Sequence, residues 1–222
     1  MKRMLVTAGS TAVKVDRVRI LTNIFKGRTG ETIALAAAEA GWDVTLLTSR
    51  DFTDALAGKV SRIPYRTFNE LADLMEEEVR DGAYDAVIHS AAVSDYRPDG
   101  VYTADTESRL VSLELKGSSA GKIPSTHEEL FIRMVPTFKI VDRIRQPWGF
   151  GGKLVKFKLQ VGMSDDELVA IAKRSLKQSH ADVIVANCLE WSSRWAYVID
   201  KDETLVKVSR ENLPYALLRR LS

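Results

Sequence analysis

Thiols are almost missing from this chain. Cys188 is the one cysteine in 222 residues, so no disulfide can form within it and a reducing compartment is the expected setting. Histidine is scarce too. Of the three, His127 and His180 stand far apart with no carboxylate or cysteine at metal-ligand spacing, which argues against a zinc centre. Neither sign of charge dominates: 32 lysines and arginines against 30 acids leave a net +2. They are mixed along the chain, with no massed basic face of the kind that attracts nucleic acid or a membrane surface. Long apolar runs are also lacking. The opening Met1-Lys-Arg-Met-Leu-Val-Thr-Ala-Gly9 puts two cations ahead of apolar residues, as a secretory signal does. The run breaks at Gly9-Ser10-Thr11, short of the ~7–15 apolar residues a signal core needs. No stretch approaches the ~20 apolar residues of a membrane-spanning helix. The expectation is a soluble protein, cytoplasmic in a bacterium, with no nucleic-acid or membrane partner.

What is present is 45% apolar residues, enough for one sizeable core. Strand and helix patterns alternate through the first half. Leu5–Ala8, Val44–Thr48, Val60–Tyr65 and the doubly apolar Ala86–Ala92 read as strands. Thr29–Ala40 and Phe68–Val79 read as helices between them, with Gly41 a stop signal. Buried runs joined by helices predict an α/β fold, a doubly wound, mostly parallel, Rossmann-like sheet. Such sheets bind ligands beyond the carboxyl ends of their strands, which directs attention to the loops after Ala8 and Ala92. In the second half, Asp95–Pro124 holds Pro98, Gly100, Gly117 and Gly121 around one alternating run, Arg109–Leu115. That predicts an excursion off the sheet, a flap or arm over about residues 96–125 that pairs with another subunit. Leu130–Val135 and Leu154–Val161 read as strands with a helix from Thr137 to Arg145 between them. Asp165–Gln178 is an amphipathic helix capped by Ser164, followed by a buried strand over Ala181–Asn187. A hairpin over Ala196–Val208 and a helix over Asn212–Leu221 complete a single domain spanning residues 1–222.

Five places offer chemistry. Small residues at Gly9, Ser10 and Thr11 let backbone N–H groups approach an anion. Lys26-Gly27-Arg28-Thr29-Gly30 sets a Gly-x-x-Gly and two cations at a helix start, suited to a phosphate or simply a tight turn with solvated cations. Ala91 and Ala92 leave room for something flat against the backbone. Asp95 beyond them can accept from a ribose hydroxyl or base amine, hold a metal, or merely end the strand in an Asx turn. Lys122, in the irregular excursion, either delivers a cation to a phosphate or is an ordinary surface lysine. Phe157 either stacks on a base or fills the core.

In combination these segments resemble the signatures of phosphopantothenate–cysteine ligases (phosphopantothenoylcysteine synthetases). Val6-Thr-Ala-Gly9-Ser-Thr11, Asp16-x-Val18-Arg19-x-Leu-Thr22-Asn23 and Gly27-x-x-Gly30 resemble the opening signature. Ala91-Ala-Val-Ser-Asp95-Tyr96 resembles the second and Lys122-Ile-Pro-Ser125 the lysine loop. Met134-Val-Pro-Thr137-Phe-Lys139-Ile140, Phe157-Lys158-Leu159 and Asp182-Val-Ile-Val-Ala186-Asn187 follow in the family's order. The resemblance runs from about residue 3 to residue 209. It is nearer to free-standing streptococcal and animal forms than to the domain fused to a flavin decarboxylase.

The resemblance implies an acid–amino-acid ligase of coenzyme A biosynthesis. The carboxylate of 4′-phosphopantothenate attacks the α-phosphate of CTP or ATP, and the amine of cysteine then displaces the nucleotide. It makes Lys122 and Asn23 the catalytic pair, the first serving the phosphates and the second the acyl intermediate. Gly9, Ser10, Thr11, Ala91, Ala92, Asp95 and Phe157 become nucleotide contacts, and Lys26, Gly27, Arg28 and Gly30 contacts to the substrate phosphate. It further implies Mg²⁺ carried by the nucleotide, no protein-held metal, no flavin, and a homodimer with Arg109–Leu115 a candidate inter-subunit strand.

Three departures stand out. Ser10 replaces a glycine; if φ must be positive there, serine costs on the order of 1 kcal/mol. Phe25-Lys26-Gly27 stands where Ser-Ser-Gly or Ser-Thr-Gly is usual, exchanging hydroxyls for a cation. Ser175 and Ser179 stand where fused bacterial enzymes carry two lysines, which leaves the choice between CTP and ATP open. Two other readings compete: a non-catalytic nucleotide-binding relative, and a short-chain NAD(P) oxidoreductase. The latter needs Tyr-x-x-x-Lys on a helix, and Tyr197…Lys201 lies in a strand-like run, where i and i+4 are ~13 Å apart.

Overall fold

The structure, a computed structural model, describes residues 1–51, 56–104, 109–112 and 121–221. Within these, the first half of the chain forms β1 (Arg3–Ala8), β2 (Ala12–Lys14), β3 (Ile20–Thr22), α1 (Arg28–Glu39), β4 (Asp43–Thr48), β5 (Ser61–Pro64), α2 (Phe68–Asp81) and β6 (Ala86–His89). Then come β7 (Tyr96–Ala104), β8 (Leu110–Ser112), β9 (Phe131–Pro136), α3 (Ile140–Arg145), β10 (Lys153–Gln160), α4 (Asp165–Gln178) and β11 (Val183–Cys188). A hairpin of β12 (Trp195–Asp200) and β13 (Leu205–Ser209) leads into α5 (Leu213–Leu221).

The apolar runs pair as a doubly wound sheet in the order β13-β12-β11-β10-β6-β1-β4-β5. Strands from β11 to β5 are parallel, and of the sheet's strands only β12 runs against them, with β13 antiparallel to β12 and so aligned with the rest, in agreement with the expected class. Alternate residues of each strand feed opposite faces. Val6, Val44, Ile88 and Val155 meet α1 and α5 on one side. Leu5, Leu47, Val87 and Leu154 meet α2, α3 and α4 on the other. The Ser164 cap holds: its Oγ accepts from the Glu167 N–H while Glu167 reaches back, a box repeated by Thr67 and Glu70 at α2. From β1 the chain winds outward through β4 and β5, then returns to lay β6 on the other side of β1. The strand order therefore reverses between β1 and β6, the place where such sheets open a ligand crevice.

Several expectations are corrected. The strand over Ala86–Ala92 ends at His89; beyond it the chain leaves the sheet, and Ala92 bridges Ser10 instead. The strand over Leu130–Val135 is β9, and it belongs not to the main sheet but to a separate antiparallel sheet, β8-β7-β9. This sheet is the excursion. It packs on the body through Val15, Val101, Ile123 and Ile132, and β2 and β3 form a small hairpin beneath it. Of the run Arg109–Leu115, Leu110–Ser112 pair with Tyr102–Ala104 of the same chain; residues 113–115 lie outside the described residues. The helix expected from Thr137 starts at Ile140. No helix among the described residues is long and apolar enough to cross a membrane.

Gly30 sets how closely α1 lies on β1. A Cβ there would stand 2.7 Å from the Ala8 Cβ and 2.9 Å from the Thr7 carbonyl oxygen, and the backbone atom cannot yield. Gly30→Ala should therefore lower the urea unfolding midpoint. Overpacking costs roughly 1–3 kcal/mol, which outweighs the ~1 kcal/mol that alanine gains in a helix. An unchanged or raised midpoint would contradict the packing.

Candidate functional site

Beyond the ends of β1 and β6 the two chain segments stay hydrogen-bonded to each other. The Thr7 Oγ1 accepts the N–H groups of Ser90 (3.1 Å) and Ala91 (3.0 Å). With both lone pairs engaged, its own hydrogen is left for His89 Nδ1 at 3.1 Å, which assigns the Nε2–H tautomer to that ring. The Ser90 hydroxyl returns to the Thr7 carbonyl. One step out, the Ala92 N–H donates to Gly9 O (2.8 Å), and Thr11 N–H donates to Ala92 O (3.2 Å). The Asn23 side-chain amide donates to the same Ala92 carbonyl at 3.1 Å. Gly9 takes φ +91°, and Gly27 presses against it so closely that a Cβ on Gly27 would sit 2.3 Å from the Gly9 nitrogen. The positive φ of the turn thus falls on Gly9, and Ser10 is not among the residues that adopt one. The strain feared at Ser10 does not arise.

This zipped pair of loops floors a cleft of about 690 Å³. Gly9, Asn23, Lys26, Gly27, Arg28, Ala91, Ala92, Asp95 and Phe157, picked from five separate segments, all line it. Four singled-out residues do not. Ser10 ties the turn down, with its N–H on Ser49 Oγ and its hydroxyl on Phe25 O. Thr11 is buried beneath the floor, its hydroxyl 2.9 Å from that of Ser94. Gly30 is packing under α1. Lys122 sits on the arm, side chain exposed, its neighbour Ile123 pinned by an N–H to Asp16 Oδ2 (3.0 Å) and a carbonyl accepting from Arg19 (3.2 Å). The Ile123 N–H, with those of Val18 and Arg19 and the Arg19 guanidinium, holds the Asp16 carboxyl below its usual range against the cost of its burial.

Sequence reasoning missed several residues that share the lining. Lys158, Asn187, Ser192 and Arg210 come from β10, β11 and the loops flanking the terminal hairpin; Lys158 and Asn187 stand in motifs of the resemblance without having been assigned to the site, and no local pattern marks Ser192 or Arg210. The lining therefore carries Lys26, Arg28, Lys158 and Arg210 against one carboxylate, Asp95, which is itself paired with Lys139 at 2.5 Å. Such a cleft attracts an anion.

Behind Asp95 and Phe157 opens a smaller cavity of about 260 Å³, reached by Lys139, Asp142, Lys156 and Ser175. Lys156 is buried. Its ammonium donates to Ser175 O (3.1 Å) and Ser179 Oγ (3.0 Å), and desolvation lowers its pKa. A strand residue thus supplies a cation beside Ser175 and Ser179. Among the described residues no group of three or more His, Cys, Asp and Glu is arranged to hold a metal. Tyr197 lies on β12, its hydroxyl donating to Asp165 at 2.7 Å, not on a helix with Lys201.

Known proteins resemble the chain in sequence and in fold. Residues 1–216 match the family described as DNA/pantothenate metabolism flavoprotein, C-terminal domain. The coenzyme A biosynthesis bifunctional protein CoaBC of Thermococcus kodakarensis is 33% identical over 191 residues, 85% of this chain and 42% of that protein. Its counterpart in Methanocaldococcus jannaschii is 25% identical over 84% of this chain and 40% of its own length. The chain thus spans about two-fifths of the length of these curated relatives. Among solved structures, the DNA/pantothenate metabolism flavoprotein of Streptococcus pneumoniae is 29% identical with a TM-score of 0.81, covering 100% of this chain and 98% of that one. The C-terminal domain of a CoaBC protein, at 22% identity and TM-score 0.73 over 99% of this chain and 93% of that one, shares the fold.

The clamp has a pH signature. Burial, then the nearby Lys156 charge, lowers the pKa of His89 to about 4, whereas the unfolded chain takes up that proton near 6.5. Between these values the unfolded state binds more protons, so stability is full above about pH 6.5 and falls as pH drops toward 4. Urea unfolding at pH 7 and pH 5 should differ by ~2 kcal/mol from this group, and His89→Gln should flatten that slope. An equal slope in both proteins would contradict a neutral, buried His89.

Proposed function

Because the chain belongs to the DNA/pantothenate metabolism flavoprotein C-terminal domain family, we propose that it joins 4′-phosphopantothenate to cysteine at the expense of CTP or ATP. The observation that carries this reading is the cationic cleft that gathers Asn23, Ala91, Ala92, Asp95 and Phe157 over one hydrogen-bonded floor. In the first step a carboxylate oxygen of phosphopantothenate attacks the α-phosphorus. An acyl–phosphate bond forms, the α–β bond breaks and pyrophosphate leaves. In the second the cysteine amine attacks the acyl carbon, forms the amide, loses a proton and releases the nucleoside monophosphate. Carboxylates are poor electrophiles, and the nucleotide supplies the leaving group.

Each lining residue suits a part of this chemistry. Ala91 and Ala92 allow a ribose or base to rest on the floor, with Phe157 beside it and Asp95 as hydroxyl or amine acceptor. Asn23 spends one N–H on Ala92; its carbonyl and second N–H are left for the acyl or phosphoryl oxygens. Lys26 and Arg28 suit the phosphate of the substrate in place of the hydroxyls usual in that turn. Bringing anions together needs positive charge where negative charge develops, and Mg²⁺ is expected to enter as part of the nucleotide, since Asp95 is the single carboxylate on the lining.

Lys122 reaches a cleft only by movement of the arm or from a second copy of the chain. The second route suits the arm's surface: Leu110 on edge strand β8 and Phe131 on β9 are exposed on one face of its sheet and Val111 on the other, apolar side chains at an open edge of the kind that marks an interface. The reading is therefore a homodimer.

Pyrophosphate release tests the assignment. It should require phosphopantothenate and either CTP or ATP, and amide product should need cysteine as well. Asn23→Ala and Lys122→Gln should each lower turnover by about 10²–10³-fold with unchanged melting. No turnover with either nucleotide in a folded sample would reduce the protein to a non-catalytic binder.

A further inference from the structure

The main cleft has two chemically different ends. At one, Asp95, Phe157 and the smaller cavity offer an acceptor and an aromatic face. At the other it joins a second cavity of about 350 Å³. The lining shared by the cleft and this cavity is Arg28, Thr29, Ser192 and Arg210, and the second cavity has no carboxylate on its walls at all. Hydroxyls of Thr29, Thr32, Ser192 and Ser193 surround two guanidinium groups. With two guanidinium groups and no carboxylate, this set favours an oxyanion over a cation.

Arg210 stands at the junction. It follows β13 directly, and its backbone N–H donates to Arg194 O at 2.9 Å, so its Cα is fixed. Its Nη2 donates to the Thr29 hydroxyl in the first turn of α1. Its Nη1 is shielded from solvent and has no hydrogen-bond partner. No carboxylate among the described residues lies within ion-pair distance of it. Withdrawal from water disfavours its charged form, the direction in which its pKa moves. A guanidinium held by one neutral hydroxyl, with a donor left over, is an unusual arrangement, since buried charges are ordinarily paired. An anion entering the cavity would give it the bidentate partner that its fork matches.

We propose that Arg210 binds the β- and γ-phosphoryl groups of the nucleoside triphosphate and holds the pyrophosphate that they become. This rests on the ligase reading for the identity of the ligand, while the site itself rests on the unpaired guanidinium and the carboxylate-free cavity. The polarity of the cleft favours the nucleotide as the source of the phosphoryl group: with the base at the Asp95–Phe157 end, the triphosphate tail points to Arg210. The phosphate monoester of phosphopantothenate is the other source of the same chemistry.

Calorimetric titration of the full chain with inorganic pyrophosphate, and separately with phosphopantothenate, needs no turnover and separates the two. Arg210→Met should weaken pyrophosphate binding at least tenfold, Arg210→Lys should fall between it and the native protein, and phosphopantothenate binding should stay within twofold. If Arg210→Met does not fold, Arg210→Lys carries the test with an expected three- to tenfold loss. Unchanged pyrophosphate affinity in the folded variants, no pyrophosphate binding by the native chain, or loss confined to phosphopantothenate would each overturn the proposal. Arg210-dependent pyrophosphate binding in a protein without ligase turnover would uphold it while sinking the ligase reading.

Discussion

The clasp between the first strand and its neighbour governs everything built above the sheet. Thr7 engages Ser90, Ala91 and His89 with one hydroxyl, at the point where the strand order reverses. Parallel strands diverge once their ladder stops, and a doubly wound sheet ordinarily leaves an open crevice there. Here the ladder is carried past the last strand residues by side chains and then by the Gly9–Ala92 and Thr11–Ala92 backbone bonds. The result is a floor rather than a gap, and Asn23 is fixed to that floor through the Ala92 carbonyl. This arrangement requires a neutral His89, because a protonated ring would offer no acceptor nitrogen for the Thr7 hydroxyl to donate to.

Charge is distributed in a way that complements the floor. Cations stand around the cleft and carboxylates are kept away or neutralised, as Asp95 is by Lys139. Lys156 shows the same economy from within: a buried ammonium satisfied by a helix carbonyl and a hydroxyl, beside serines at positions where lysines stand in the resembling enzymes.

Much of this was legible before any coordinates. Apolar runs such as Ala86–Ala92 and Leu5–Ala8 signal a parallel sheet because both faces are covered, although the first of these strands stops at His89, and Ser164 announces the start of α4 through its place before an amphipathic run. The loops after Ala8 and Ala92 do border the cleft, because the strand order reverses between β1 and β6. What escaped is non-local. The β2–β3 hairpin consists of two three-residue strands, too short to show a period. Strand β9 pairs with β7 across some thirty residues, and its alternation is the same whether it joins the main sheet or the arm. Arg210 and Ser192 enter the cleft only because the terminal hairpin folds back over the start of α1, a fact written in tertiary packing and in no motif. The concern over Ser10 failed for a local reason: the strained torsion belongs to Gly9.

The central claim is that substrates lie on this floor, spanning from Phe157 and Asp95 to the cationic end. A crystal structure of the protein with phosphopantothenate and a non-hydrolysable CTP or ATP analogue tests it most directly. The account predicts the carboxylate and α-phosphorus within reach of Asn23 above Ala91–Ala92, with the triphosphate tail toward Arg210. A nucleotide bound elsewhere, or reversed in the cleft with its base among the arginines, would contradict it.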